Sequence, residues 1–204
     1  HNVPLGRISE DKLMDTIHNL SLATDRLEQY ANQVREIQAM DAIPVKPTAC
    51  PLREFFEEQE DEYTVLAHQH QLQFSMDISG VPDFQVMLDG TLVHRMIDNV
   101  ISNALRFACH EIALKAGWQE GILTIQVYDD GAGFSEESLR SATRPFYKEN
   151  TENDHFGLGL SICNTLCQKQ GGTLSLRNRN GACVEMQIQA ETLMPIDQSS
   201  TFSY

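Results

Sequence analysis

Asn99 and Asn103 stand one helical turn apart, Asp129-Asp130-Gly131-Ala132-Gly133 follows, and Gly157-Leu158-Gly159-Leu160 comes last. In that order these residue types supply what a magnesium-bound adenine nucleotide requires. A carboxylate at Asp129 can accept a hydrogen bond from the adenine exocyclic amine, which guanine replaces with a carbonyl. Asn103 can offer a neutral amide oxygen to Mg²⁺, a hard ion that prefers oxygen and keeps several waters, and Asn99 can assist it. Arg106, one turn beyond Asn103, can reach a phosphate, while Phe107 can wall the pocket. Gly131 and Gly133 let the chain turn tightly and approach the base with no Cβ in the way. Gly157 and Gly159, at a helix start, leave N–H donors at the positive end of the dipole, which suits phosphate. Arg144 and Lys148 can close over the triphosphate.

Each motif alone has a plainer reading. The two asparagines could be capping or buried amides, the acidic turn could be solvated, and the second glycine pair could be a tight helix contact. Their joint order and spacing carry the ATP assignment.

The elements that position them follow from hydrophobic period. Gly90 and Thr91 introduce a helix through Val93, Ile97, Val100, Ile101 and Leu105, which puts Asn99 and Asn103 on one side. Strands are predicted over Gln71–Ile78, Phe84–Leu88, His110–Ala116 and Ile122–Tyr128, with a turn around Gln119-Glu120-Gly121. The acidic turn thus sits at a strand end. Ser135 to Glu152 reads as a mobile flap with a short helical start, its apolar cluster being Pro145-Phe146-Tyr147. Gly157–Gln168 reads as a helix stopped by Gly171-Gly172, and Thr173–Leu176 pairs with Cys183–Ile188 around Asn180-Gly181.

Upstream, Ser9 to Asp41 reads as one long helix with a stripe at Leu13, Ile17, Leu20, Thr24, Leu27, Ala31 and Val34. Spacings of four and three are the rhythm of a helix pressed on partner helices, so a homodimer through this helix is expected, with a helix folded on its own domain as the alternative. Pro44, Pro47 and Pro51 break the pattern and mark a domain boundary, and Leu52 to Gln71 reads as an acidic helix. Residues after Pro195 read as a frayed tail.

Composition bounds the function classes. A chain of 204 residues, 41% hydrophobic, can bury one good core plus an appended element. The net charge of -14 argues against a nucleic-acid partner, which would need Lys and Arg to displace counterions. It does not exclude a nucleotide, since backbone N–H groups and one metal ion can outweigh the global field. Cys50, Cys109, Cys163, Cys167 and Cys183 are odd in number and lack C-x-x-C spacing, so buried thiols in a reducing cytoplasm are expected. With no spanning run and no signal peptide, the chain reads as soluble.

Ile97-Asp-Asn99-Val-Ile-Ser-Asn103-Ala-Leu-Arg106-Phe107 resembles the N box, and Asp129-Asp-Gly131-Ala-Gly133-Phe the G1 box, of one ATP-binding family. That family is shared by sensor histidine kinases, DNA gyrase, the heat-shock chaperone of the ninety-kilodalton class and mismatch-repair MutL. Arg144-Pro-Phe146-Tyr147-Lys148 is similar to its F box, and Gly157-Leu158-Gly159-Leu160, with Gly171-Gly172-Thr, to its G2 box and the segment after it. The histidine kinases are nearest, because gyrase-type members carry a glutamate base where Asn99 stands.

The resemblance implies a two-layer α/β sandwich with a mixed sheet, preceded by a long helix, and ATP with Mg²⁺ under a lid. It places Asn99, Asn103, Arg106, Phe107, Asp129, Gly131, Gly133, Phe146, Tyr147, Lys148 and Gly157 to Leu160 around the nucleotide. Asn103 and magnesium, with Asn99 assisting, are expected to clamp the phosphates, and Arg106 and Lys148 to offset the developing charge. The γ-phosphoryl would pass to a histidine on a separate helical domain, then to an aspartate of a response regulator. The expected domains are residues 1–43, similar to the second dimerisation helix, residues 44–195, the catalytic domain, and residues 196–204, a tail.

The acceptor setting His-Glu/Asp-x-Lys/Arg-x-Pro does not occur. His1 reads as part of an interhelical loop and His18 as a surface or interface side chain, so the acceptor is expected upstream of this sequence. The chain then reads as the cytoplasmic part of a membrane sensor whose membrane segments lie elsewhere, unable to label itself. His155-Phe156 precede Gly157 where the family has small residues, which bears on the lid contacts. The competing classes are a non-catalytic dimerisation or docking module, and an ATPase or serine kinase of the same fold.

Overall fold

Leu123, Ile125 and Val127 are buried while Thr124, Gln126 and Tyr128 between them are not, the two-residue period of a strand with one covered face. In the computed structural model, which describes Met14, Thr16, Thr24 and residues 43–143 and 159–193, that strand is the middle of a five-stranded sheet. The chain divides into two compact units, residues 1–42 and 43–204. In the first, Met14, Thr16 and Thr24 are helical and exposed. Apart from Thr24, the apolar stripe predicted to make a dimer lies outside the described residues, as do His1 and His18.

In the second unit β1 (Thr48–Pro51) leads into α1 (Leu52–Gln69), β2 (Gln73–Gly80), β3 (Gln85–Leu88) and α2 (Gly90–Phe107). Then come β4 (Glu111–Gln119), β5 (Ile122–Asp129), the short α3 (Glu136–Ser141), α4 (Gly159–Lys169), β6 (Thr173–Asn178), β7 (Ala182–Gln189) and β8 (Glu191–Thr192). The large sheet runs β2-β4-β5-β7-β6; β2 lies parallel to β4 and every other pair is antiparallel. A second, antiparallel sheet runs β1-β3-β8. Helices α1, α2 and α4 contact the large sheet, which gives the mixed-sheet α/β fold expected from the sequence.

The register of α2 is fixed by its apolar stripe. Leu92, Val93, Met96, Ile97, Val100, Ile101 and Ala104 are all buried, and each full-sized side chain among them stabilises the fold by roughly 1.5–3 kcal/mol. Asp89 caps the helix: its Oδ1 accepts from the Leu92 N–H at 3.2 Å and its Oδ2 from the Lys46 N–H at 2.8 Å. At the other end of the sheet, Trp118 packs edge-on against Phe84 with centroids 5.1 Å apart and donates its indole N–H to the Ala190 carbonyl at 3.3 Å. That contact lies beyond the predicted end of β4, and the ladder carries the strand past Ala116 to Gln119. Strand β6 likewise continues past Leu176, because Arg177 and Asn178 keep their partners Cys183 and Ala182.

Four of the five cysteines are buried and Cys109 is exposed. Burial pushes the Cys163 thiol far up and the Cys167 thiol up to about 12, which marks both as inert core residues. No helix of the described residues is long and apolar enough to cross a membrane.

Candidate functional site

Asp129 ends β5 opposite Ile112 of β4, and it is 9% exposed. Its Oδ1 accepts from the Gly131 N–H at 3.0 Å and, at 3.5 Å, from the Ala182 N–H. Among the described residues nothing donates to its Oδ2. Burial pushes the carboxyl above the usual carboxylate range; the two amide N–H groups pull it back and the Asp130 charge pushes it up again. The result is a carboxylate with one oxygen anchored and the other free.

The glycine turn that follows is confined on both sides. A Cβ on Gly131 would lie 2.2 Å from the Phe107 carbonyl oxygen, so the turn presses directly on the end of α2. Gly133 sits at φ +78, with Asn178 Oδ1 2.8 Å from where its Cβ would be. Asn178 clamps the next residue, accepting from the Phe134 N–H at 2.8 Å and donating to the Phe134 carbonyl at 2.8 Å. Gly181, at φ +145 in the β6–β7 turn, lies so close under the strand end that a Cβ would meet the Asp129 carbonyl oxygen at 1.9 Å.

Asp130 points away from Asp129 into the link between α2 and β4. Its Oδ1 accepts from the N–H groups of Cys109, His110 and Glu111 at 2.8, 2.9 and 3.2 Å, and its Oδ2 lies 3.0 Å from His110 Nδ1. These hydrogen bonds hold the Asp130 carboxyl far below the usual range.

On α2, Asn99 is half-buried and donates its amide to the Arg95 carbonyl at 2.8 Å. Its Oδ1 lies 3.6 Å from the position a Cβ would take on Gly159, the first residue of α4. The first and third motifs therefore meet across the α2–α4 contact. Asn103, one turn on, is half-buried and its amide has no hydrogen-bond partner among the described residues. Arg106 stacks on Phe107, with the guanidinium carbon 5.1 Å from the ring centroid, and partial burial lowers its pKa. Phe107 is 51% exposed, so its ring stands at the surface, while its carbonyl abuts the glycine turn.

The structure thus brings Asn99 together with Gly159, and Asp129 with Gly131 and the end of α2. Leu160 is buried in the α4 face. Arg144, Phe146, Tyr147, Lys148, Gly157 and Leu158 lie outside the described residues. A separate cavity of about 290 Å³ between β1 and the first turns of α1 holds none of the predicted site residues.

Sequence reading missed three contributors: Asp130, Asn178 and the Gly181-Ala182 pair. Asp130 carried a signal, since it adjoins Asp129. Asn180-Gly181 was readable as a turn, but its position beneath Asp129 depends on the β5–β7 pairing, which the sequence does not display.

Residues 88–192 match the family model described as "Histidine kinase-, DNA gyrase B-, and HSP90-like ATPase". The chain is 29% identical over 188 residues to the C4-dicarboxylate transport sensor protein DctB of Pseudomonas aeruginosa, a match that covers 87% of this chain and 29% of that protein. It is 26% identical over 200 residues to the sensor protein kinase PilS of the same organism, covering 88% of this chain and 37% of PilS. The aerobic respiration control sensor protein ArcB of Escherichia coli matches at 24% identity, over 84% of this chain and 23% of ArcB. The chain therefore spans well under half the length of these relatives. Among solved structures, full-length ShkA in complex with AMPPNP superposes with a TM-score of 0.71 at 18% identity, over 93% of this chain and 41% of ShkA. The nucleotide-free catalytic domain of the histidine kinase ThkA superposes with a TM-score of 0.63 at 23% identity, over 71% of this chain and 95% of that domain. These two likenesses speak to the fold.

Proposed function

The chain belongs to the histidine kinase-, DNA gyrase B- and HSP90-like ATPase family, and from that footing we propose that it is the ATP-binding catalytic part of a two-component sensor histidine kinase. The observation that carries this reading is the Asp129 carboxyl, buried at a strand end with Oδ1 held by backbone amides and Oδ2 open to accept from an adenine amine. Gly131, whose missing Cβ lets the turn pack against the Phe107 carbonyl, supplies the shorter of those two amide bonds.

The described residues fit a nucleotide with its metal. Asn103 has an uncommitted amide oxygen for Mg²⁺; Asn99 already donates its amide N–H to α2, which leaves its oxygen on the side of Gly159. The α4 N-terminus would present backbone N–H groups to phosphate at the positive end of its dipole, and Arg106 would add positive charge at the exit of α2. When bound, ATP supplies the γ-phosphoryl group and magnesium neutralises its oxygens. The protein's own part is positioning: Asp129 orients the base, Asn103 and Arg106 orient the phosphates, and Lys148 would add positive charge there.

Asn99 favours transfer to an imidazole over hydrolysis, since a carboxylate there would activate water and an amide does not. The nucleophile is then a histidine on a helical dimerisation domain, the next acceptor an aspartate of a response regulator, and the setting the cytoplasmic side of a membrane sensor. The similarity to DctB, PilS and ArcB supports this.

Calorimetric titration with Mg-ATP tests the site. The wild-type chain should bind, and Asp129→Asn should weaken binding at least about 30-fold, because an amide donor then faces the adenine amine, a loss of about 2 kcal/mol. Equal affinity in the two proteins would remove the assignment. No binding by the wild type would select a docking module instead.

A further inference from the structure

We propose that Asp130 is a specificity-determining positioning residue, which sets the adenine preference of the site by fixing Asp129 without touching the nucleotide. The inference rests on the nucleotide reading above.

A solvated turn carboxylate would spend its oxygens on water. Asp130 instead accepts three consecutive backbone N–H groups, from Cys109, His110 and Glu111, and faces the His110 ring as well. Cys109 and His110 belong to the link between α2, which carries Asn103 and Arg106, and β4, which flanks Asp129, and Glu111 is the first residue of β4. The side chain ties that link to the acidic turn.

The consequence runs through Phe107. Its carbonyl lies where a Cβ of Gly131 would have to go, so the position of Gly131 is set by where the link holds the end of α2. The Gly131 N–H is in turn the shorter of the two hydrogen bonds that fix Asp129 Oδ1, at 3.0 Å against 3.5 Å from Ala182. Releasing Asp130 lets the link move away, loosens Gly131, and leaves Asp129 free to rotate about its side-chain torsions. Its Oδ2 then no longer aims at one point, and the contact with the adenine amine loses its fixed geometry.

Charge argues the same way. A second carboxylate beside Asp129 raises the Asp129 pKa, an electrostatic cost to the acceptor that the site needs ionised. Three amide dipoles and the His110 ring absorb the Asp130 charge, turning a liability into an anchor.

The test compares Mg-ATP with the Mg complex of purine riboside triphosphate, which lacks the 6-amino group, by calorimetry and with thermal melts on each protein. Wild type should prefer ATP by about tenfold or more. Asp130→Ala should bind both ligands alike, losing ATP affinity while its affinity for the analogue changes less than about twofold. Asp130→Asn, whose amide oxygen can still accept the three N–H groups, should restore most of the preference. The double variant Asp129→Asn with Asp130→Ala should show no further loss, because both changes act on one contact. Should Asp130→Ala not fold, Asp130→Glu, which keeps the charge but displaces it by a methylene, should show the same loss of preference. An unchanged ATP-to-analogue ratio in the Ala or Glu variant, or an equal loss for both ligands, overturns this inference alone. Wild-type protein that binds neither ligand overturns the nucleotide reading and this inference together.

Discussion

Asn99 Oδ1 faces the first residue of α4, 3.6 Å from the point a Cβ on Gly159 would occupy. Two stretches far apart in the sequence thus share one contact, and Asn99 is held to it by donating its amide to Arg95. The glycine keeps the start of α4 and its N–H groups close to α2.

Gly159 is accordingly a matter of size. Contacts at 3.6 to 4.0 Å are ordinary, so Gly159→Ala should fold as the wild type does and bind Mg-ATP within about threefold. Gly159→Val adds two γ-carbons against Asn99 and should weaken binding more than about tenfold, at a stability cost of about 1–3 kcal/mol. Calorimetry and thermal melts on the pair check this; a tolerated valine would mean that the two motifs do not act together.

The raised pKa of Asp129 gives two slopes of opposite sign. In the free protein the fold favours the neutral acid, so ionisation costs stability, and that cost appears as pH rises from the ordinary value of about 3.9 through the folded one. Relative to wild type, Asp129→Asn should therefore be more stable at pH 7 than at pH 4. Nucleotide binding goes the other way: the ionised carboxylate is the better acceptor, so the affinity advantage of wild type over Asp129→Asn should shrink as pH falls. Urea denaturation and calorimetry across that range read both; a pH-independent affinity ratio would deny the carboxylate its role.

Glycines differ in what they resist. Gly131→Ala and Gly181→Ala each drive a methyl onto a backbone carbonyl, at 2.2 and 1.9 Å, and neither backbone can yield without moving Asp129. Each should cost more than about 2 kcal/mol and lower ATP affinity as well. Gly121, at φ +83 in the β4–β5 turn, has no atom nearer than 4.0 Å, so Gly121→Ala should cost about 1 kcal/mol through strain and leave affinity unchanged. Chemical denaturation beside nucleotide titration separates the two classes.

The periodic elements were the legible part. Alternation at Leu123, Ile125 and Val127 and the stripe from Leu92 to Ala104 each report a buried face directly, so β5 and α2 could be placed, with Asp129 and Asn99 on them. Strand ends were less legible because ladders run on through polar or bulky residues such as Arg177 and Trp118, held by pairing rather than by burial alone. The support of the site was hidden for a similar reason. Asn178 and Gly181 reach the acidic turn only through the β5-β7-β6 order, a long-range pairing that leaves no local pattern. Arg144 to Lys148, expected from the sequence to form a flap, fall outside the described residues.

Tyr63 offers a control for stability without function. Its ring is buried on α1, and its hydroxyl donates to Asp98 Oδ1 at 2.8 Å, on the side of α2 that meets α1 rather than the side where Asn99 meets Gly159. Tyr63→Phe removes a hydrogen bond to a charged acceptor and should cost about 1.5–3 kcal/mol. Tyr63→Ala also empties the space of the ring and should cost about 3–5 kcal/mol. Burial first, and then Asp98, push the phenol well above its ordinary value of about 10, so above that pH the unfolded chain releases a proton that the folded chain keeps. Wild-type stability should therefore fall more steeply than that of Tyr63→Phe above about pH 10, while both proteins bind Mg-ATP equally well at neutral pH. A Phe variant that melts normally but binds ATP poorly would mean that the α1–α2 contact reaches the nucleotide after all.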